Sequence, residues 1–501
     1  MPNSVSTAER LLASIDGRRM VLLLLALLGL RLVSLAVSGL EVSHDEAQYW
    51  AWGQDLAFGY YTKPPLVGWV ARLVSETCGA SAFCLRLPAP LFHTATAFVL
   101  FLIGRRLYGA TAGVWAALLY ATGWGVTISS MLWTTDVPLL FFWSLALLFL
   151  VDLTETRRWR SAVLLGIAIG LGLNAKYAMI YLPGCLILWC AVWREDRRWL
   201  RDGRLWLAMA VAFVCILPNL IWVAANGFAT FRHTAENASW GEALSLYPLA
   251  AIEFLLGQFP IMDPIVFALF LFLLARPGAR AGPARADRLM VFVSVPVFAV
   301  ITIQGLMAGR THGNWAVAAF PAVILLVAAW LVARRAWRTM AWAVGIQVAV
   351  ALTVAVGVAF VDRLQPPLAN RQIARLLGWS DFFGKVEALA REAGIATVVA
   401  DGREMTAQMI YGLRDSGLTV LSLRDPDAPP RDQFEMARPW VAGDATPVLL
   451  VTPADPAGLP LGTATVTPAG TIDTTIFPAR GGTMPAWRID GPAGPAAPAQ
   501  P

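Results

Sequence analysis

Charge is what this chain has least of. Asp, Glu, Lys and Arg make up 14% of its 501 residues against 57% apolar, where an ordinary soluble domain is about a quarter charged. A wholly soluble chain is therefore excluded, and the chain reads as a membrane protein with many spans. A glycine-rich phosphate loop of the nucleotide-binding type is also missing. The lone Asp-x-Asp, Asp425, Pro426, Asp427, reads as a turn, so a nucleotide-sugar enzyme with a metal clamp is not expected. The five cysteines show no Cys and His spacing for zinc, and neither metal nor cofactor is expected.

The net charge is +6, but the excess arginine lies in short clusters between apolar runs, a mark of topology rather than of nucleic-acid binding. Windows long enough to cross a bilayer recur at residues 20–40, 86–104, 112–131, 136–153, 205–222, 289–307, 314–333 and 341–361. Ser161 to Trp193, broken at Asn174, Ala175, Lys176 and at Pro183, reads as two short spans. Tyr247 to Ala275, broken at Gly257, Gln258, Phe259, Pro260, reads as an interfacial helix and one span. The expectation is a polytopic α-helical membrane protein of about 11 transmembrane helices. Its first span is retained rather than cleaved as a signal, and Arg31 is turned into the bundle as a structural residue.

With the N-terminus cytoplasmic, the inner loops hold twenty arginines, from Arg10, Arg18 and Arg19 to Arg334, Arg335 and Arg338. The outer connections hold Lys63, Arg72, Arg86, Lys176, Arg232 and Arg310, a lopsidedness that fits the positive-inside rule. Residues 1–362 are read as the membrane domain, with residues 41–85 as an interfacial first outer loop. After Asp362, Pro366 and Pro367 form a linker. Residues 371–490 then alternate helix-like segments (382–393, 404–412) with strand-like ones (396–400, 418–423, 447–451), predicting a small extracytoplasmic α/β domain. The Gly, Pro, Ala and Gln tail, 491–501, is expected to be disordered. Cys78 and Cys84 lie in the first outer loop, in an oxidising compartment, where a disulfide and two unpaired residues are both open.

The chemistry-bearing residues gather on the outer side. Asp45 and Glu46 begin the first outer loop, followed by Trp50, Trp52, Phe58, Tyr60, Tyr61 and Trp69, a density that favours the headgroup level. The bland reading of two acids in a first turn is helix capping. Lys63 precedes Pro64 and Pro65, which stiffen the chain; a cation on such a stub suits a phosphate, or simply anionic lipid. Asp136 opens the fourth span as either an N-cap or a pocket residue. Lys176, beside Asn174, interrupts an apolar pair, and an ionisable residue there is functional unless it reaches headgroups. Arg310 opens the tenth span within Gly309, Arg310, Thr311, His312, Gly313, Asn314, Trp315. It is read as a phosphate clamp or a surface anchor, while His233 and His312 read as structural.

These pieces resemble glycosyltransferase family 39, the GT-C type membrane enzymes that include dolichyl-phosphate-mannose protein mannosyltransferases, the lipid A aminoarabinose transferase and lipopolysaccharide galacturonosyltransferases. The likeness rests on Asp45, Glu46, Tyr49, Trp50; on Tyr60 to Leu66; on Leu85, Arg86, Leu87, Pro88; on Thr135 to Leu139; on Gly172 to Tyr177; and on Asn314, Trp315. It implies a polyprenyl-phosphate-linked sugar donor and transfer on the outer face, with Asp45 as general base. It also places Lys63 on the donor phosphate. Glu46, Tyr61, Asp136, Lys176 and Arg310 are expected as further substrate-binding residues. Thr62 stands where bacterial relatives often carry an acid, so that acid's role is missing here. The expected function is a single inverting, metal-free transfer to a glycolipid, lipid A or lipopolysaccharide, in the cell envelope at the periplasmic face of a bacterial inner membrane. The alternatives are a protein O-mannosyltransferase-like enzyme and a flippase of lipid-linked sugar.

Overall fold

The structure, a computed structural model, describes residues 14–237, 245–361, 376–473 and 482–491. The linker at Pro366 and Pro367 and the tail after Gly491 lie outside the described residues. The chain divides into two compact units. One comprises Met1–Val37, Lys63–Val67 and Arg86–Ala359; the other Ser38–Thr62, Gly68–Leu85 and Phe360–Pro501. Most of the first outer loop thus groups with the C-terminal fold.

The first unit is helical. Seven described helices qualify as spans by length and composition: Gly17–Ala36, Ala82–Tyr108, Asp136–Thr156, Gly203–Ala225, Ala284–Ala308, Gly313–Ala333 and Trp337–Ala359. Ala110–Thr122, Trp159–Ala175, Tyr177–Val192, Pro248–Met262 and Pro264–Ala275 are shorter and apolar. The windows give about eleven spans, and the difference lies at backbone breaks. Gly123 is extended (φ −53, ψ 145) and divides the window at 112–131 into Ala110–Thr122 and Trp124–Ser129. Lys176 is likewise extended (φ −159, ψ 134). Asp263 takes φ 90 and caps the following helix, its carboxylate accepting from the Ile265 and Val266 amides.

Burial sorts the helices. Gly313–Ala333 has 83% of its apolar window buried and forms the middle of the bundle, packed against Trp115, Trp143, Phe267 and Phe270 among others. In Gly17–Ala36 and Trp337–Ala359 only 28% and 17% are buried, leaving an apolar surface that suits lipid. Arg31 faces inward, as expected, and donates from Nη2 to the Ala121 carbonyl. That contact answers part of the cost of a cation at this depth.

The second unit carries a six-stranded sheet of β1 (Thr397–Ala400), β2 (Thr419–Leu423), β3 (Pro439–Trp440), β4 (Val448–Val451), β5 (Thr465–Asp473) and β6 (Thr483–Asp490), ordered β3-β2-β1-β4-β6-β5. β1 pairs in parallel with β2, Val398 opposite Val420, and with β4, Val399 opposite Leu450. β6 joins β4 antiparallel, and β5 joins β6. The buried Val and Leu of β1 and β4 are what a sheet covered on both faces requires. The chain leaves β1 toward β2 and β3 and returns to β4 on the other side, so the carboxyl ends of β1 and β4 form a topological switch point.

The loop after the first span packs with this fold through specific bonds. Gln408 Nε2 donates to the Val42 carbonyl (2.9 Å) and Tyr411 Oη to that of Ala80 (2.6 Å). The Glu41 carboxylate accepts from the Trp379 and Ser380 amides at 2.5 and 2.7 Å. Cys78 and Cys84 form a disulfide, Cα atoms 5.6 Å apart. Alkylation of the unreduced, denatured protein should therefore leave both unlabelled while Cys185, Cys190 and Cys215 react, as read by peptide mass spectrometry. Labelling of Cys78 before reduction would contradict the bridge.

Candidate functional site

In the second unit, helix His44–Gln54 is started by Ser43, whose hydroxyl accepts from the Glu46 amide (3.3 Å) while the Ser43 amide donates to Glu46 Oε2 (3.0 Å). This reciprocal capping box satisfies two donors that a helix start leaves orphaned. Glu46 is 2% exposed and its carboxylate is engaged in the cap. The capping geometry of the alternative reading is thus present at Glu46. Asp45 points elsewhere. Its Oδ1 accepts from Arg403 Nη1 at 3.1 Å, and the same nitrogen donates to Gln48 Oε1 at 3.0 Å. His44 Nε2 stands 3.8 Å from Asp45 Oδ1 and 3.6 Å from Glu404 Oε1. The Asp45 side chain is 46% exposed, reachable by a substrate rather than sealed.

Much of the aromatic run is packed inside its unit. Trp52 and Tyr60 stack at 4.6 Å, and both are buried, as are Tyr49 and Trp50. The Tyr60 hydroxyl donates to the Trp52 carbonyl (2.9 Å). Tyr61, expected on substrate, bonds to the C-terminal fold: its hydroxyl donates to the Pro430 carbonyl (2.9 Å) and its amide to Gln433 Oε1 (2.8 Å).

In the first unit, three helix boundaries converge. Asp136, first residue of its helix, uses its carboxylate not as a cap but as a tie: Oδ1 takes Lys176 Nζ at 2.5 Å and Oδ2 takes Asn314 Nδ2 at 2.7 Å. Lys176 owes its place to the extended break between two short helices, and Asn314 to the 3₁₀ turn Gly313–Ala319. Gly309 ends helix Val295–Ala308 at φ 67, the left-handed conformation that favours glycine at a helix end, and hands the chain to Arg310 and His312. The Lys63 segment is held here too, since Trp133 Nε1 donates to the Val67 carbonyl (3.2 Å).

His312 senses the gathering. Burial first, then the Arg310, Lys176 and Lys63 cations, hold its imidazole below the ordinary value. Three of the six expected outer cations thus act on one histidine, whose ring meets Trp315 edge-on at 5.1 Å. A concentration of positive charge is a setting for an anion. Arg403, missed in the sequence reading, sits far along the chain in a helix that shows no motif. Glu46 left a signal, the Ser-x-x-Glu spacing of a capping box.

Comparison with known proteins shows the family of the chain. A family model described as dolichyl-phosphate-mannose-protein mannosyltransferase matches residues 62–222. The lipid A galacturonosyltransferase RgtD of Rhizobium johnstonii is 34% identical over 424 residues, covering 84% of this chain and 88% of that protein. The chain belongs to glycosyltransferase family 39. The lipopolysaccharide core galacturonosyltransferase RgtB of the same organism is 28% identical, covering 60% of this chain and 64% of its own. In fold, this family member is similar to ArnT of Cupriavidus metallidurans bound to undecaprenyl phosphate, with a TM-score of 0.66, 16% identity, and 93% and 97% of the two chains covered. The membership makes this chain a GT-C glycosyltransferase and leaves the flippase alternative without support.

Two outcomes follow from the first-unit cluster. Breaking the largely buried Asp136 and Lys176 pair with Asp136→Ala should cost about 3 kcal/mol. That loss would be read as a lowered unfolding midpoint in detergent, and Asp136→Asn combined with Lys176→Met should recover part of it. The lowered His312 value sets a sign for pH. The unfolded imidazole takes its proton near 6.5 and the folded one only at lower pH. Below about 6.5 the unfolded chain thus holds more protons, and stability falls as pH falls. His312→Gln should flatten that decline in thermal melts between about pH 7 and pH 5; an unchanged slope would contradict it.

Proposed function

We propose that this enzyme transfers galacturonic acid from a polyprenyl phosphate to a hydroxyl of lipid A. The reaction runs on the periplasmic face of a bacterial inner membrane, with the N-terminus of the chain in the cytoplasm. The observation that carries the proposal is that Lys63, Lys176 and Arg310 all act on His312, with Lys176 and Asn314 both tied to Asp136 at 2.5 and 2.7 Å. A donor of this class brings two anionic groups, the phosphodiester and the uronate carboxylate, and a cation cluster favours both. The similarity to a lipid A galacturonosyltransferase over most of both chains supports the choice of sugar and acceptor.

The chemistry is one displacement with inversion, without a metal. The bond from sugar C1 to the phosphate oxygen breaks, its electron pair leaving with the phosphate. That charge is received electrostatically by Lys63 and Arg310, so the leaving group needs no proton. The acceptor hydroxyl forms the new bond to C1 and gives its proton to Asp45, the general base. Arg403 engages Oδ1 of Asp45, leaving Oδ2 to the hydroxyl.

The test uses purified enzyme with radiolabelled polyprenyl-phosphate galacturonate and lipid A. Asp45→Asn should cut transfer by roughly 10² to 10⁴ fold while donor binding persists, and Lys63→Ala should weaken retention of the polyprenyl phosphate itself. Wild-type turnover in the Asp45 variant would remove the base. A labelled protein rather than a labelled lipid would assign a different acceptor.

A further inference from the structure

Among the described residues, the C-terminal α/β fold bonds to Asp45, the acid it shares a unit with, through one side chain. Arg403 opens the crossover helix Arg403–Gly412, directly after the carboxyl end of β1. The turn is made by Asp401 and by Gly402 at φ 83, a conformation that favours glycine. Because β1 borders the switch point, Arg403 stands where a doubly wound sheet presents its functional edge. One of its nitrogens straddles Asp45 and Gln48, which are three residues apart on helix His44–Gln54 and therefore on one face.

We infer that Arg403 is a positioning residue for the reaction, fixing the Asp45 carboxylate in one orientation with Oδ2 turned to the acceptor hydroxyl. The inference rests on Asp45 being the base. An aspartate in the first turn of a helix, half exposed, has several staggered orientations open to it. A bond to Oδ1 from a guanidinium that is itself braced on Gln48 selects one of them. Gln48 is 1% exposed and gives the brace a rigid footing.

A purely architectural role is a poor account of the same contact. Partly exposed ion pairs contribute little to stability, and the two segments are joined by bonds that do not involve Arg403. Gln408 holds the Val42 carbonyl, Tyr411 holds that of Ala80, Glu41 caps the helix that starts at Trp379, and Trp50 meets Tyr411 edge-on at 5.4 Å. Removing the guanidinium leaves all of these in place. What is lost is the orientation of one carboxylate.

The experiment measures transfer kinetics on purified full-length enzyme for Arg403→Ala, Arg403→Lys, Asp45→Asn and the Asp45→Asn, Arg403→Ala double variant. Arg403→Ala should lower kcat by about 10² fold, as misplacement of a reacting group does, with both KM values within about twofold of wild type. Arg403→Lys, and millimolar guanidinium added to the alanine variant, should restore part of kcat, and the double variant should be no slower than Asp45→Asn alone. Wild-type kcat in Arg403→Ala alongside an inactive Asp45→Asn overturns the positioning role and spares the base. A raised acceptor KM at unchanged kcat overturns it in favour of direct acceptor binding. An Asp45→Asn variant as fast as wild type fails the base itself. Should the alanine variant not fold, the lysine variant carries the same comparison, and a lysine variant with wild-type kcat and raised acceptor KM counts against positioning.

Discussion

Charge inside an apolar helical bundle must be paired, or held ready for an opposite charge that arrives with a ligand. The first unit follows that constraint closely. Arg31 is turned to a backbone carbonyl, and Lys176 and Asp136 are tied to each other and to Asn314. Around this tie the chain breaks its helices: an extended residue at Lys176, a left-handed glycine at Gly309 and a 3₁₀ turn at Gly313–Ala319. These breaks interrupt regular helix where Lys63, Lys176 and Arg310 act on the His312 imidazole, which is the arrangement expected of a protein that receives an anion.

The second unit answers a different requirement. A proton acceptor for a sugar hydroxyl needs a defined orientation and access from solvent or lipid. Helix His44–Gln54 is stabilised by Ser43 and Glu46, so that Asp45 is not needed as a cap and its side chain is available to a partner. That partner comes from the carboxyl edge of a parallel sheet, the part of such folds that most often handles ligands. In the proposed mechanism the C-terminal fold thereby takes a place in the chemistry.

Much of this was legible in the sequence. Seven of the eight uninterrupted apolar windows correspond to long helices, because lipid-facing helices need only length and composition. The window at 112–131 divides at Gly123, where one extended residue changes the path without changing hydropathy. In the C-terminal fold, β1, β2 and β4 stood out as runs of Val and Leu, whereas β5 and β6 did not. β5, Thr465–Asp473, is a mostly exposed edge strand interrupted by Pro468 and a register shift at Gly470, so its residues alternate too weakly to announce a strand. The acid and its cation were divided by distance along the chain: Asp45 was visible by its motif, while Arg403, some 358 residues on, follows an ordinary Asp-Gly turn. The aromatic run at Trp50 to Tyr61 was visible, but its stacking and burial were not, since packing uses the same residues as a headgroup belt.

The central claim is that the cations gathered at His312 receive the phosphate of a lipid-linked donor. An experimental structure of the full chain with a polyprenyl phosphate bound tests it most directly. The account predicts phosphate density within hydrogen-bond distance of Lys63 and Arg310, beside His312. A phosphate held on other residues, with Lys63 and Arg310 turned away from it, would contradict the account.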